Sequence, residues 1–154
     1  ADEAIRAIRE ALPEAPLSAV VQYAPKEQKD FGINLLPYLG EEYADTLRRF
    51  RVMVSLVKFA TFEMVPLELA GLGVPIVHPP MPLSLSDYLG LSAFEVRSVD
   101  ELARVVARLY RDPMVWEAAS RSAERRAGSA DFRALSAQAY VRLLGLLEAG
   151  RGKP

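Results

Sequence analysis

The sequence contains no cysteine and a single histidine, His78. Without cysteine the chain forms no disulfide, carries no thiolate nucleophile and offers no sulfur ligand to zinc. With one imidazole it also cannot build a two-histidine metal site. These absences exclude cysteine-based chemistry and argue against most histidine-based metal chemistry.

The sequence also lacks an excess of one charge and a long apolar run. The formal net charge is −1, which predicts neither a nucleic-acid-binding surface nor a basic face that would attract a membrane. No segment approaches the ~18 uninterrupted apolar residues of a membrane span, and no basic-then-apolar leader is visible. We therefore expect a cytoplasmic protein that associates with neither nucleic acid nor a membrane.

Hydrophobic residues make up 51% of the 154 positions, which is typical of a packed chain and enough for one domain. Their spacing alternates between a strand period and a helix period. The alternation indicates an α/β domain over residues 1–154, with a parallel sheet, helices on both faces and a tail at 150–154. Strands are predicted at 19–23, 33–36, 52–57, 74–77 and 94–96, and helices at 2–12, after Gly40, at 66–72 and over most of 98–149.

The predicted order of elements is unusual at its beginning. The first element is a helix, whereas a unit of this kind normally begins with a strand. We therefore expect the first strand of the sheet to precede residue 1.

Several helix ends carry strong local signals. Gly73 is expected at the position just after a helix, where a left-handed backbone favours glycine. Ser98 and Glu101 have the spacing of a capping box at the start of the next helix. Asp112 followed by Pro113 is the preferred arrangement for starting another helix.

The segment with the clearest functional signal runs from Phe59 to Val77, FATFEMVPLELAGLGVPIV. It follows an apolar strand and contains an aromatic residue, then Pro-Leu-Glu, a helix rich in small residues, and Gly-Val-Pro-Ile-Val. This order resembles the donor-binding domain of GT-B glycosyltransferases, which consist of two facing Rossmann-like domains, and is most like the retaining group 1, or family 4, members. The flanking segments 33–56 and 98–112 agree, so the resemblance covers nearly the whole chain.

The resemblance implies one half of a GT-B fold that binds a nucleoside-diphosphate sugar. It implies an enzyme that transfers the sugar to an unknown acceptor, with no metal and no cofactor other than this donor substrate. The acceptor would be held by a separate N-terminal domain, without which the chain alone is expected to be inactive. By the same resemblance, Glu68 is the carboxylate that binds the ribose.

The physics of a helix start supports this role. A loop entering a helix presents free backbone N–H groups and the positive end of the helix dipole, which suit a diphosphate. Pro66 is expected at the start of the helix and Glu68 in its first turn. The predicted diphosphate cradle therefore consists of the residues just before Pro66, which are Thr61, Phe62, Glu63, Met64 and Val65.

Three further residues are candidates for the same ligand. Tyr38 and Leu39 follow a predicted strand at its carboxyl end, where open α/β sheets bind ligands, and are expected to frame the base. Packing of Tyr38 against the sheet edge is the alternative. Lys26 is a candidate phosphate contact, and a solubilising surface charge is its alternative.

The sequence departs from the family at Ala60. Retaining members carry Glu-x7-Glu, and Ala60 stands where the first of these glutamates would be, with Glu68 as the second. This leaves a member that dispenses with the first acid, an inverting relative, or a degraded site. For Glu68 itself, the alternative to ribose binding is a helix-favouring acid in the first turn. The alternative functions are one half of a nucleotide-sugar epimerase of the same fold and a degenerate, non-catalytic glycosyltransferase-like module.

Three other features are expected to have structural roles. His78 ends a strand beside Pro79, where a structural role is expected and contact with a bound sugar is the alternative. Trp116 is expected to pack in the core. The remaining feature is a basic cluster that we expect to form a solvated face, Arg48, Arg49 and Arg51.

Overall fold

The fold consists of short parallel strands with helices packed against them. The computed structural model describes residues 2–21, 32–37, 43–56, 64–80, 93–128 and 141. Five helices lie within these residues: α1 (Asp2–Ala11), α2 (Tyr43–Leu47), α3 (Met64–Gly71), α4 (Val99–Arg111) and α5 (Pro113–Gly128). Five strands accompany them in the same part of the chain: β1 (Leu17–Val21), β2 (Ile33–Pro37), β3 (Met53–Val54), β4 (Ile76–His78) and β5 (Ala93–Glu95). The predicted α/β class is therefore confirmed at this coarse level.

The strands form two parallel sheets in the described part of the chain. In the first, β1 and β2 pair from Leu17 opposite Ile33 to Val21 opposite Pro37. In the second, the order is β3-β4-β5, with Val54 opposite Val77 and Val77 opposite Phe94. The order follows the chain, so each strand of the second sheet lies beside its neighbour in sequence.

The core lies on both faces of the three-stranded sheet. Because side chains alternate along a strand, Ile76 and Val77 point to opposite sides, and both are fully buried. One cluster places Ile76 against Leu69 and Ala70 of α3 and Ala123 of α5. The other places Val77 against the side chains of α1 and α4. Residues of α4 and α5 thus pack on the sheet.

The end of α3 is fixed by the backbone turn at Gly73. The Gly73 N–H donates to the Ala70 carbonyl at 2.9 Å and the Val74 N–H to the Leu69 carbonyl at 2.9 Å. Together with the left-handed φ of 71° at Gly73, these bonds make a Schellman motif. The prediction for Gly73 is confirmed.

The Gly73 turn also explains why β4 begins later than predicted. The sequence suggests a strand from Val74, but the Val74 N–H is already used by the end of α3. The strand therefore begins at Ile76, and Pro75 precedes it while its carbonyl accepts a hydrogen bond from the Met53 N–H at 2.9 Å. Since β4 is the middle strand, Pro75 marks the start of a strand rather than an edge.

The start of α3 also differs from the prediction. The helix begins at Met64, so Pro66 is its third residue and Glu68 its fifth. A proline is tolerated there because the N–H groups of the first turn have no partner inside the helix. Glu68 consequently lies in the second turn, and the expectation of a first-turn acid was wrong.

Both predicted N-caps of the late helices are confirmed. The Ser98 hydroxyl accepts a hydrogen bond from the Glu101 N–H at 3.1 Å, while the Glu101 carboxylate accepts one from the Arg97 N–H at 2.8 Å. The Asp112 carboxylate accepts hydrogen bonds from the N–H groups of Met114 and Val115 at 3.0 and 3.1 Å. Each helix therefore has its first free donors satisfied by a side chain.

Trp116 joins α5 to the segment that enters β3. Its indole N–H donates to the Arg51 carbonyl at 2.7 Å, and the Arg51 guanidinium lies over its ring, 4.9 Å from the centroid. Such stacking is a cation–π contact. Arg48 and Arg49 are exposed as predicted, but Arg51 is half-buried and does not belong to a solvated face.

Candidate functional site

The candidate site lies at the carboxyl end of the β3-β4-β5 sheet. In open parallel α/β sheets ligands bind outside this end, because the loops that connect strands to helices are gathered there. The segment leaving β3 leads to the start of α3 at Met64. Helix α3 is held in place through Leu69 and Ala70, which pack against β4 and α5. The start of α3 is thereby fixed relative to the sheet.

Glu68 is exposed on α3, next to the buried pair Leu69 and Ala70. Its carboxylate makes no hydrogen bond or ion pair with the described part of the chain. Glu68 lies four residues after Met64, which is about 6 Å along a helix axis. Glu68 therefore lies about one helical turn beyond the free N–H groups of the helix start.

Only part of the predicted diphosphate cradle falls within the described residues. Met64 and Val65 are the first two residues of α3, so their N–H groups are among those that the helix leaves free. The other predicted site residues lie outside the described residues: Lys26, Tyr38, Leu39, Thr61, Phe62 and Glu63. Ala60 lies outside them as well.

Two buried polar side chains lie at the same end of the sheet. His78, the last residue of β4, is 0% exposed, and Ser55, which follows β3, is 3% exposed. Among the described residues, neither His78 Nε2 nor Ser55 Oγ has a hydrogen-bond partner. Buried polar atoms are almost always paired in native proteins, so both atoms mark a place where polar contacts remain to be made.

Sequence reasoning singled out His78 but not Ser55. His78 drew attention because it is the only histidine and ends a strand. Ser55 stands inside the apolar run VMVSLV, where one serine carries no signal of its own. Only the pairing of β3 with β4 brings it beside His78, since the Ser55 N–H donates to the Val77 carbonyl at 2.9 Å.

No protein-family model matches this chain, and no curated protein matches its sequence. Within the described ranges no group of three or more histidine, cysteine, aspartate or glutamate residues is arranged to hold a metal ion. Among the same residues, no helix combines the length and apolar character needed to cross a membrane.

Proposed function

We propose that this chain is the donor-binding half of a cytoplasmic GT-B glycosyltransferase and that it binds a nucleoside-diphosphate sugar. The observation that carries the proposal is the β3–α3–β4 unit. In this unit, parallel strands flank a helix that begins beyond the carboxyl end of the sheet and exposes Glu68 in its second turn. The free N–H groups at the start of α3 would bind the diphosphate, and Glu68 would accept hydrogen bonds from the two ribose hydroxyls.

The division into two sheets supports the Rossmann-like part of the proposal. A doubly wound sheet has the strand order 3-2-1-4-5-6. If β2 and β1 are strands 3 and 2, and β3, β4 and β5 are strands 4 to 6, strand 1 would lie between β1 and β3. In the described part of the chain, β1 pairs only with β2 and β3 only with β4, so each has an edge open to such a strand.

The proposed chemistry is positioning and charge neutralisation. The leaving diphosphate gains negative charge as the bond to the sugar breaks, and fixed N–H groups with a helix dipole stabilise that charge without reorganising. The acceptor and its general base would be held by an N-terminal domain. Sugar transfer would therefore require both halves, whereas donor binding is tested on this chain alone.

The first experiment is a thermal-shift and calorimetric screen of the chain with UDP, GDP and ADP sugars. A ligand that binds only the folded state adds roughly 2.7 kcal/mol of stability at 100 times its Kd. Stabilisation by one base series and not by the others supports a nucleotide-sugar site. Absence of any shift, in this chain and in the protein joined to its acceptor domain, would favour the non-catalytic module.

Glu68→Gln tests the proposed ribose contact. Hydrogen bonds to a charged group contribute about 1.5–3 kcal/mol each, so losing the charge should weaken nucleotide binding roughly tenfold or more. The 2′-deoxy form of the same nucleotide should bind less tightly to the unmodified chain, and Glu68→Gln should weaken its binding less than that of the ribonucleotide, because only the 3′-hydroxyl still contacts the carboxylate. Glu10→Gln, an exposed glutamate of α1, is the matched control. Equal affinities for Glu68→Gln and the unmodified chain would contradict the assignment.

A further inference from the structure

The strongest remaining feature is the pair of buried atoms Ser55 Oγ and His78 Nε2, which have no hydrogen-bond partner in the part of the chain that the structure describes. Both side chains are more than nine-tenths buried. The proposed diphosphate and ribose contacts use neither of them. The positions of the two atoms therefore determine what the pair can bind.

Strand pairing places the two side chains next to each other. Val54 lies opposite Val77, so Ser55 lies opposite His78, on strands that run about 4.8 Å apart. Met53 and Ile76 both pack in the cluster with α3 and α5. Because side chains alternate along a strand, Ser55 and His78 lie on this same face, one step nearer the carboxyl end.

The hydrogen bond made by the other ring nitrogen, Nδ1, determines whether His78 Nε2 donates or accepts a hydrogen bond. His78 Nδ1 lies 2.8 Å from the Pro79 carbonyl oxygen. A carbonyl oxygen only accepts, so Nδ1 carries the hydrogen and donates it. In the neutral ring Nε2 is then an acceptor that needs a donor. The Ser55 hydroxyl can both donate and accept.

One hydroxyl group satisfies both atoms. Its O–H donates to His78 Nε2, and its oxygen accepts the hydrogen of the Ser55 hydroxyl. With bonds of about 2.8 Å each, a single oxygen can bridge two polar side chains on neighbouring strands. The pair itself carries no cation, so it suits a neutral hydroxyl better than a phosphate oxygen.

We infer that Ser55 and His78 together bind one hydroxyl group of the sugar carried by the nucleotide. This inference rests on the proposed function, and it gives the donor sugar a contact that is separate from Glu68. Both atoms have almost no exposed surface, so binding requires a local opening at this end of the sheet. The competing occupant of the same position is a permanently bound water molecule.

The single histidine makes a direct test possible. Long-range ¹H–¹⁵N NMR of the chain shows one imidazole, and its Nε2 resonance reports whether that nitrogen accepts a hydrogen bond. The probes are UDP-glucose, ADP-glucose and GDP-mannose, each compared with its nucleoside diphosphate at the same saturation. We expect the nucleotide sugar to move the Nε2 resonance to lower ¹⁵N shift and the nucleoside diphosphate to leave it in place.

Ser55→Ala provides the second measurement. Losing one neutral hydrogen bond should weaken nucleotide-sugar binding roughly three- to tenfold and leave binding of the nucleoside diphosphate unchanged. Ser122→Ala is the matched control, because Ser122 is also a buried serine but lies on α5. Both variants are checked for folding by their urea transitions.

The possible outcomes separate the two proposals. If a nucleotide sugar binds but the Nε2 resonance does not move, this inference is wrong, a bound water is favoured, and the proposed function stands. Movement with the nucleoside diphosphate alone also overturns it, because the hydroxyl would then not belong to the donor sugar. If none of the nucleotide sugars binds, both proposals fail together.

Discussion

At Gly73 the backbone adopts a φ of 71°, and its surroundings leave no room for a side chain. A Cβ atom built there would lie 2.6 Å from the Ser120 hydroxyl oxygen and 2.9 Å from a Glu124 carboxylate oxygen. The position joins the end of α3 to β4 and so holds the candidate site's helix against the sheet. The left-handed conformation requires glycine, and any side chain would also displace the Ser120 hydroxyl and the Glu124 carboxylate.

Gly73→Ala should therefore destabilise the fold. A left-handed alanine costs about 1–2 kcal/mol, and displacement of Ser120 and Glu124 adds to this, so we expect a loss of about 2–3 kcal/mol in the free energy of unfolding. Urea denaturation followed by circular dichroism measures it.

Gly71→Ala is the matched control, two residues away at the last residue of α3. A Cβ there would meet only Ala127 Cβ at 3.8 Å, an ordinary contact. Because alanine favours helices more than glycine does, this variant should retain or slightly gain stability. Equal losses in the two variants would mean that the Gly73 turn is not what requires glycine.

Among the elements, α4 and α5 meet at one residue that ends the first and starts the second. The Asp112 N–H donates to the Arg108 carbonyl at 2.9 Å, while its carboxylate caps α5. The residue thus fixes the corner between α4, which packs in the cluster with Val77, and α5, which contributes to both core clusters. A change in its side chain affects only the cap, since the bond to α4 is made by the backbone.

Asp112→Ala should lower the free energy of unfolding by about 1 kcal/mol, because the first N–H groups of α5 lose their acceptor. Asp112→Asn keeps an oxygen in the same place and should remain close to the unmodified chain. Thermal unfolding of the three proteins measures the difference. A loss as large with asparagine as with alanine would show that the charge, and not the cap, matters.

Prediction from sequence succeeded best for these elements where the signal is local. Gly73, Ser98 and Asp112 act on N–H and carbonyl groups within a few residues, so their spacing alone predicts the helix ends. The start of β4 was misplaced because the Val74 N–H serves the end of α3, and apolar spacing does not show this competition. Ser55 was missed because its position beside His78 depends on strand pairing across 23 residues.

For the molecule as a whole, an ion pair links residues distant in sequence. Arg111 at the end of α4 lies 3.0 Å from the Glu14 carboxylate and also donates to the Ala11 carbonyl. A hydrogen bond from the Glu14 backbone amide, and then the Arg111 side chain, lower the pKa of Glu14 below its usual value. The turn after α1 is thereby connected to the late helices.

This connection predicts a pH dependence. The pKa of Glu14 is lower in the folded state than in the unfolded state. The ionised carboxylate therefore stabilises the fold fully at a pH above the unfolded-state pKa, and this stabilisation is lost as the pH falls through the folded-state pKa. At neutral pH the free energy of unfolding should therefore be higher for the unmodified protein than for the Glu14→Gln variant. The difference between the two proteins should shrink below about pH 4. Urea transitions between pH 3 and 7 measure it.

Glu117→Gln, which removes a carboxylate from an exposed pair within one helix, controls for the change in net charge. A difference between unmodified protein and Glu14→Gln that stays constant from pH 3 to 7 would contradict the assignment of the link to the Glu14 carboxylate.

Trp116 and His78 are each present once in the chain. The indole binds Arg51, which precedes β3, and the imidazole ends β4, so the two rings lie toward opposite ends of one parallel sheet. Each ring has its own spectroscopic signal, fluorescence for one and nitrogen resonance for the other, and neither needs a label. A structural change confined to the carboxyl end of the sheet should alter the imidazole signal alone, whereas global unfolding should alter both signals. The native chain therefore contains its own pair of site-specific reporters.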